Sequence, residues 1–338
     1  MTIKDIAREC GVGISTVSRV LNNKPDVSEE VRKKVLAAVE TNGYIPNNSA
    51  RDLVKSRSDA IGVVVRGTGN LFFSDMLKVI AAEIDRRGYD MILRFLATDE
   101  DEVKAGAILE REKKLRGLLF LGGRFNYTPA EMSLIGVPYV CCSYTNSFGT
   151  LRESDFSSVS IDDFKTAYEA VSVLIAAGHS RIAAFFDACD DHSISELRYD
   201  GYCAALKKNG IPVDPALVVQ TGGFEMEDGY RSMKSLIESG AGFTAAFVEA
   251  DMMAIAAIKA LHDCHKRVPE DCSVIAIDGL KLSEYTSPTL TTMIQPGEEI
   301  ARESVRILMD MIEKGIEGVH LRPEAHLRNG GSVCSRQL

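Results

Sequence analysis

Ile14, Ser15, Thr16, Ser18 and Arg19 lie within one short stretch, and their side chains are of the kinds that read DNA base edges. An arginine offers two parallel N–H donors that match O6 and N7 of guanine, hydroxyls reach phosphate or either base type, and isoleucine touches a thymine methyl. A second set is spread along the chain: Asn70, Phe72, Phe73, Ser143, Tyr144, Arg198, Phe224, Asp278 and Gln295, most of them just beyond an apolar run. Aromatic rings stack on the C–H face of a sugar or on a base, and arginine and carboxylate groups fix hydroxyls by charge-assisted hydrogen bonds. The chain has no tryptophan, so stacking falls to Phe and Tyr.

The elements that must hold the first set are readable. Thr2 is placed to cap a helix with the apolar face Ile3, Ile6 and Ala7, running through Cys10. Gly11-Val12-Gly13 makes a turn, and a second helix runs from Ile14 to about Asn22, with Val17, Val20 and Leu21 facing inward. A third starts at Ser28, with Glu29 and Glu30 in its first turn and Val31, Val35, Leu36 and Val39 as its core stripe; Asn42-Gly43 stops it. Arg32, Lys33 and Lys34 either face phosphates or form a solvated face. Beyond them, residues 46–58 carry a helix of two turns from Asn47 or Asn48 to Lys55. A helix that short is unstable alone and should fold only against a partner.

The second set needs a different scaffold. From residue 60 onward strands are expected at 60–65, 91–96, 117–122, 138–143, 158–162, 181–186, 217–222, 244–250 and 272–279. Helices separate them at 74–87, 101–114, 164–177, 197–209, 228–239 and 252–263, and Asp251 is read as the N-cap of the last. Such alternation means parallel sheets with helices on both faces, and two runs of it mean two doubly wound lobes. Ligands in such sheets bind beyond the carboxyl ends of the strands.

A chain of 338 residues, 45% hydrophobic and 26% charged, reads as a soluble globular protein of two or three domains. Its net charge of −9 argues against a nucleic-acid partner, but the charge is unevenly placed: residues 1–60 carry +2 and the remainder −11. The basic excess lies where DNA contact is expected. Eight cysteines without a C-x-x-C pair read as reduced thiols, and the lack of a signal-peptide run or membrane span predicts a cytoplasmic protein. His262 and His265 lack further metal ligands, and the acid pairs Asp162-Asp163 and Asp190-Asp191 fall at lobe or loop edges. With no G-x-S-x-G elbow, P-loop or G-x-G-x-x-G, no catalytic set, cofactor or metal is expected, and the chain is not read as an enzyme.

The stretches TIKDIA (2–7), TVSRVLNN (16–23), VSEEVRKKVLAAVE (27–40) and GYIPN (43–47) resemble the LacI/GalR family of bacterial transcription regulators. The resemblance continues through RRGYDMIL (86–93), LRGLLFLG (115–122), AGHSRIA (177–183), LRYDGYCAAL (197–206), TAAFVEADMMAIAAIKAL (244–261) and SPTLTTMIQP (287–296), so it covers nearly the whole chain. It implies an all-α helix-turn-helix head (1–45), a hinge (46–58), and an α/β body (59–338) of two doubly wound parallel-sheet lobes, periplasmic-binding-protein-like. The lobes would comprise 59–160 with 290–322 and 161–289 with 323–332. It also implies base reading by Ile14, Ser15 and Arg19. In the hinge, Asn47, Ala50 and Leu53 would meet DNA, with Leu53 as a minor-groove wedge. Effector contacts would come from Asn70, Phe72, Phe73, Tyr144, Arg198, Phe224, Asp278 and Gln295. Gly13 stands where the family usually has Ser, Asp52 where it often has Ser, Ser143-Tyr144 where sugar binders often have Asp-Arg, and Ala250 where Asn is frequent.

The expectation is a ligand-responsive regulator, a repressor, that binds a near-palindromic operator as a homodimer. Its effector would be a sugar or sugar derivative, with a nucleoside or purine as the alternative. The terminal GGSVCSRQL has no leucine heptads, which favours a dimer over a tetramer. A sugar-binding transport receptor would share the body but not the head, and a hydrolase on this body would need the missing catalytic set.

Overall fold

Two compact units, Met1–Ser58 and Asp59–Leu338, make up the chain in a computed structural model that describes residues 2–21, 24–42, 58–67, 69–97, 99–316 and 318–336. Among the described residues of the first unit three helices, α1 (Ile3–Cys10), α2 (Ile14–Leu21) and α3 (Glu29–Thr41), surround a small core of Ile6, Ala7, Cys10, Val17, Val20, Val35 and Ala38. The backbone N–H and hydroxyl of Thr2 both donate to Asp5 Oδ2 at 2.8 Å, which fixes the start of α1. Gly11 takes φ 65, and the Val12 N–H donates to the Ala7 carbonyl at 3.0 Å, so the chain reverses within two residues. Ser28 caps α3 by accepting from the Val31 N–H. Leu36 departs from its expected place: it is 47% exposed, because one residue beyond buried Val35 the helix has turned by about 100°.

The second unit contains two six-stranded sheets. The first has the order β11-β5-β4-β3-β1-β2 and the second β12-β10-β9-β8-β6-β7. The first comprises β1 (Ala60–Arg66), β2 (Asp90–Leu96), β3 (Gly117–Leu121), β4 (Tyr139–Cys142), β5 (Ser157–Val159) and β11 (His320–Leu321), all paired in parallel. The second comprises β6 (Ile182–Phe186), β7 (Val218–Gln220), β8 (Ala245–Val248), β9 (Ser273–Asp278), β10 (Thr291–Ile294) and β12 (His326–Arg328), parallel except for β10 with β12. Strands such as Ala60–Val65 and Ala245–Val248 are buried throughout, as their unbroken apolar runs require when helices cover both faces.

Helices α4 (Leu71–Arg86) and α5 (Glu102–Lys113) flank the first sheet. Helices α6 (Asp163–Ala176), α7 (Ile194–Lys208), α8 (Met226–Glu238) and α9 (Asp251–Asp263) flank the second. A further helix, α10 (Gly297–Lys314), packs Ile300, Val305 and Leu308 into the first lobe's core. The sequence reading assigned no element to 291–314. Strand β10 still belongs to the second sheet, so the chain returns to the first lobe at 295–296 and not at 289. Helices α4 and α7 begin three residues earlier than expected, because Asn70 and Ser193 cap them by accepting from Phe72 and Ser195 N–H groups.

Candidate functional site

Arg198 lies in the first turns of α7, 2% exposed, at the carboxyl end of the second sheet. Its Nε and Nη2 donate to Asp163 Oδ1 at 3.0 and 2.9 Å, and its Nη1 donates to the Glu249 carbonyl at 2.6 Å. Asp163 opens α6, so the pair depends on how closely α6 and α7 approach. Gly201 permits that approach: a Cβ there would overlap the Phe164 carbonyl oxygen. Burial raises the Asp163 carboxyl above its usual range, with Arg198 opposing the rise.

Two more acids, Glu249 and Asp278, lie near this arginine, and Asp251 lies beside Asp278. Glu249, just past β8, is fully buried, its Oε1 accepts from the Asp187 N–H, and burial pushes it up to about 8 against the pull of Arg198. Asp278 ends β9 with φ 131, a backbone conformation rare for any residue but glycine. Its Oδ1 accepts from Gln295 Nε2 at 2.8 Å, and burial, then the Asp251 carboxylate, push it up to about 7. Asp251 is the first residue of α9 rather than its cap. It is buried and accepts from the Leu280 N–H and Ser283 hydroxyl at 2.8 Å and the Thr292 hydroxyl at 2.5 Å, so it ties the ends of β9 and β10 together. Arg198 and these acids form a buried, acceptor-rich wall suited to holding hydroxyl groups, with Arg328 bound behind it to the Leu280 carbonyl and the Ser283 hydroxyl.

The facing lobe supplies aromatic rings. Tyr144 is 1% exposed among Phe125 and Tyr127, and its hydroxyl lies 3.3 Å from that of Tyr127. Glu102, fully buried at the start of α5, accepts from the Tyr127 hydroxyl and from the Arg124 N–H at 3.0 Å, with Arg66 Nη1 at 3.7 Å. Phe72 is 6% exposed in the core beside Gly297, whereas Phe73 is half-buried against Gly122. Asn70 is exposed and serves as a helix cap. Phe224 is half-buried on the second lobe's core, and Ser143 takes φ 67 at the end of β4. The lobes meet where Ile194 and Leu197 pack on the Phe125–Tyr144 cluster, where Met252 and Leu280 pack beside Phe72, and where His192 stacks on Phe148 at 5.0 Å.

The structure thus gathers Arg198, Asp278 and Gln295 with Asp163, which the sequence reading set aside as half of an acid pair at a lobe edge, and with Glu249, which it did not single out. Glu249 had a readable signal: it is a lone acid in the apolar run AAFVEA. Arg66 and Arg124 were also missed, and they end β1 and follow β3 on the same side of the first sheet.

In the head, Ile14, Ser15 and Arg19 are exposed on α2, and Thr16 and Ser18 are half-buried. Arg32 does not face outward: its side chain is 15% exposed and it donates to the Lys24 carbonyl, while Lys33 and Lys34 are exposed. Asn47, Ala50 and Leu53 lie outside the described residues. Among the described residues no helix is long and apolar enough to cross a membrane, and no three His, Cys, Asp or Glu side chains are grouped to hold a metal.

Comparison with known proteins places both units. Residues 2–47 match the profile of bacterial regulatory proteins, lacI family, and residues 155–333 that of the periplasmic binding protein-like domain. The chain is 39% identical to the HTH-type transcriptional regulator MalR of Clostridium butyricum over 325 residues, 95% of this chain and 96% of that protein. It is 31% identical to the HTH-type transcriptional repressor CytR of Escherichia coli K12, over 92% of this chain and 90% of that one. Its fold matches the transcriptional regulator CelR in complex with cellobiose with a TM-score of 0.72, 29% identity and coverage of 98% and 99% of the two chains.

Proposed function

This chain belongs to the LacI family of bacterial transcription regulators, which are DNA-binding proteins with an effector-binding body and not enzymes, and from that premise we propose that it is a cytoplasmic repressor whose effector is a neutral, hydroxyl-rich sugar or sugar derivative. The observation that carries the ligand class is the setting of Arg198 among Asp163, Glu249 and Asp278. Carboxylates accept from hydroxyls, whereas a phosphate-bearing ligand at Arg198 would meet the surrounding buried acids. Phe73, half-buried, offers a ring face for the C–H side of a sugar, whereas Tyr144 is packed inside its own aromatic cluster; the similar CelR structure holds cellobiose.

Head and body communicate in this proposal through residues 46–58. Effector changes lobe closure, closure changes the spacing of two hinges in a homodimer, and hinge folding sets DNA affinity. A dimer has supporting surface: edge strand β2 exposes Leu93 and Phe95, and the turn at 281–285 exposes Leu282 and Tyr285. The test pairs a thermal-shift screen of sugars, nucleosides and purines with gel shifts on the promoter upstream of its own gene. A sugar that raises the melting temperature and alters the gel shift supports the proposal. A purine as the sole stabilising compound overturns the ligand class, and equal binding to promoter and scrambled DNA overturns the repressor role.

A further inference from the structure

Asp26 Oδ2 lies 3.5 Å from Arg19 Nη1, with more than half of each side chain exposed. The loop that carries Asp26 is held in place. The Lys24 N–H donates to the Arg19 carbonyl at 3.0 Å, Arg32 donates to the Lys24 carbonyl from a largely buried position, and Ser28 caps α3 immediately beyond. Arg19 is the one charged residue of α2 (ISTVSRVL), so Asp26 brings the reading face to zero net charge.

We propose that Asp26 is a specificity-determining residue that turns Arg19 away from phosphate and toward a neutral guanine edge; this rests on the DNA-reading role proposed above. The chemistry lies in what each partner does to Asp26. Guanine O6 and N7 are uncharged acceptors that take two of the five guanidinium N–H groups and leave others for the carboxylate. A phosphate at the same guanidinium brings a second negative charge close to Asp26, and the two anions repel. Asp26 therefore weakens the sequence-independent part of binding and spares the base-specific part. Phosphate affinity has to come from elsewhere on the head.

The test uses the full-length chain, an operator selected from a random duplex library, and a scrambled duplex of equal length, with affinities read by fluorescence anisotropy over a salt series. Asp26→Asn should tighten binding to the scrambled duplex about 3- to 5-fold and leave operator binding nearly unchanged, so the specificity ratio falls by the same factor. The salt slope on scrambled DNA should steepen. In an Arg19→Ala background the same substitution should leave the ratio unmoved. Equal tightening on both duplexes, or the same ratio change without Arg19, overturns the proposal by reducing Asp26 to a general repulsive charge. Failure of the selection to yield any preferred duplex is a separate outcome, which overturns the DNA-reading role and Asp26 with it. Both side chains are largely exposed, so an unchanged melting temperature confirms that the fold is intact.

Discussion

Gln295 is bound twice to Asp278: its Nε2 donates to Oδ1 at 2.8 Å, and its backbone N–H donates to the Asp278 carbonyl at 3.0 Å. Asp278 ends β9, and Gln295 is the first residue of the chain's return to the other lobe. One buried carboxyl group therefore belongs to the candidate effector wall and also holds the segment that returns to the first lobe. A ligand hydroxyl that competes for Oδ1 would alter the tether itself, which gives effector binding a direct route to lobe geometry.

Gln295→Ala should leave that carboxylate short of a donor in a buried place. Leaving a buried polar group without its partner costs about 1–3 kcal/mol, so the body should melt several degrees lower. DNA binding without effector should persist, while the response to effector should weaken by about tenfold or more. Gel shifts across an effector titration measure this. An unaltered titration midpoint would show that the tether plays no part in signalling.

The pH dependence of stability follows from the buried acids. Burial drives Glu249 from 4.5 to about 8, and burial with Asp251 drives Asp278 from 3.8 to about 7. Between those limits the folded body keeps protons that the unfolded chain has released. Their stabilising contribution is complete below the unfolded values and is lost as the pH rises through 7 and 8. The melting temperature of the body should fall between pH 6 and pH 9, on the order of 5 °C. Glu249→Gln, which mimics the protonated form, should flatten the upper part of the fall; a wild-type slope in that variant would sink the assignment.

The parts of this fold that were legible share one property, a dense local signal. AIGVVV and AAFV are unbroken apolar runs, and the alternation around them specifies parallel sheets. Strand β10 was missed because four residues, TTMI, follow a proline-containing turn and look like linker. Helix α10 was missed although Ile300, Ser304, Ile307 and Met311 recur at helical spacing; its glutamates and arginines masked the stripe. At the site, Phe72 and Phe73 are adjacent and chemically identical, and only packing sends Phe72 into the core. Asp163 and Glu249 converge on Arg198 from distant strand and helix ends, a contact with no local signature.

Gly201 offers a test of that convergence. Adding a methyl group where α7 passes the Phe164 carbonyl forces α6 and α7 apart, and Asp163 and Arg198 ride on those two helices. Gly201→Ala should cost about 1–3 kcal/mol through overpacking and weaken effector binding more than DNA binding. Gly242→Ala, where a Cβ would come no nearer than 3.9 Å to Arg181, serves as the control and should change neither. Equal behaviour of the two variants would mean that helix approach does not set the site.

The proposed dimer surface can be tested on the edge strand. Phe95 is 47% exposed on β2, so Phe95→Glu should fold normally by circular dichroism yet sediment as a monomer. Two heads bound together gain avidity, and separating them should lower operator affinity about 100-fold or more. A dimer that survives this substitution would move the interface elsewhere.

Leu53 carries the last prediction, and its ground is the resemblance of ARDL (50–53) to the family's hinge pattern. An apolar wedge between base steps costs stacking energy and returns it as a bent duplex that wraps more protein. Truncating the wedge removes both sides of that exchange, so Leu53→Ala should reduce DNA bending together with affinity, whereas a plain linker residue would alter neither. Asp52 sharpens the test because its carboxylate would lie near phosphates in the same complex. Asp52→Ser should therefore raise affinity at low salt and steepen the loss of affinity as salt rises, without restoring the bend in a Leu53→Ala chain. Bending is read by energy transfer between dyes at the duplex ends; an unchanged end-to-end distance in Leu53→Ala would exclude the wedge.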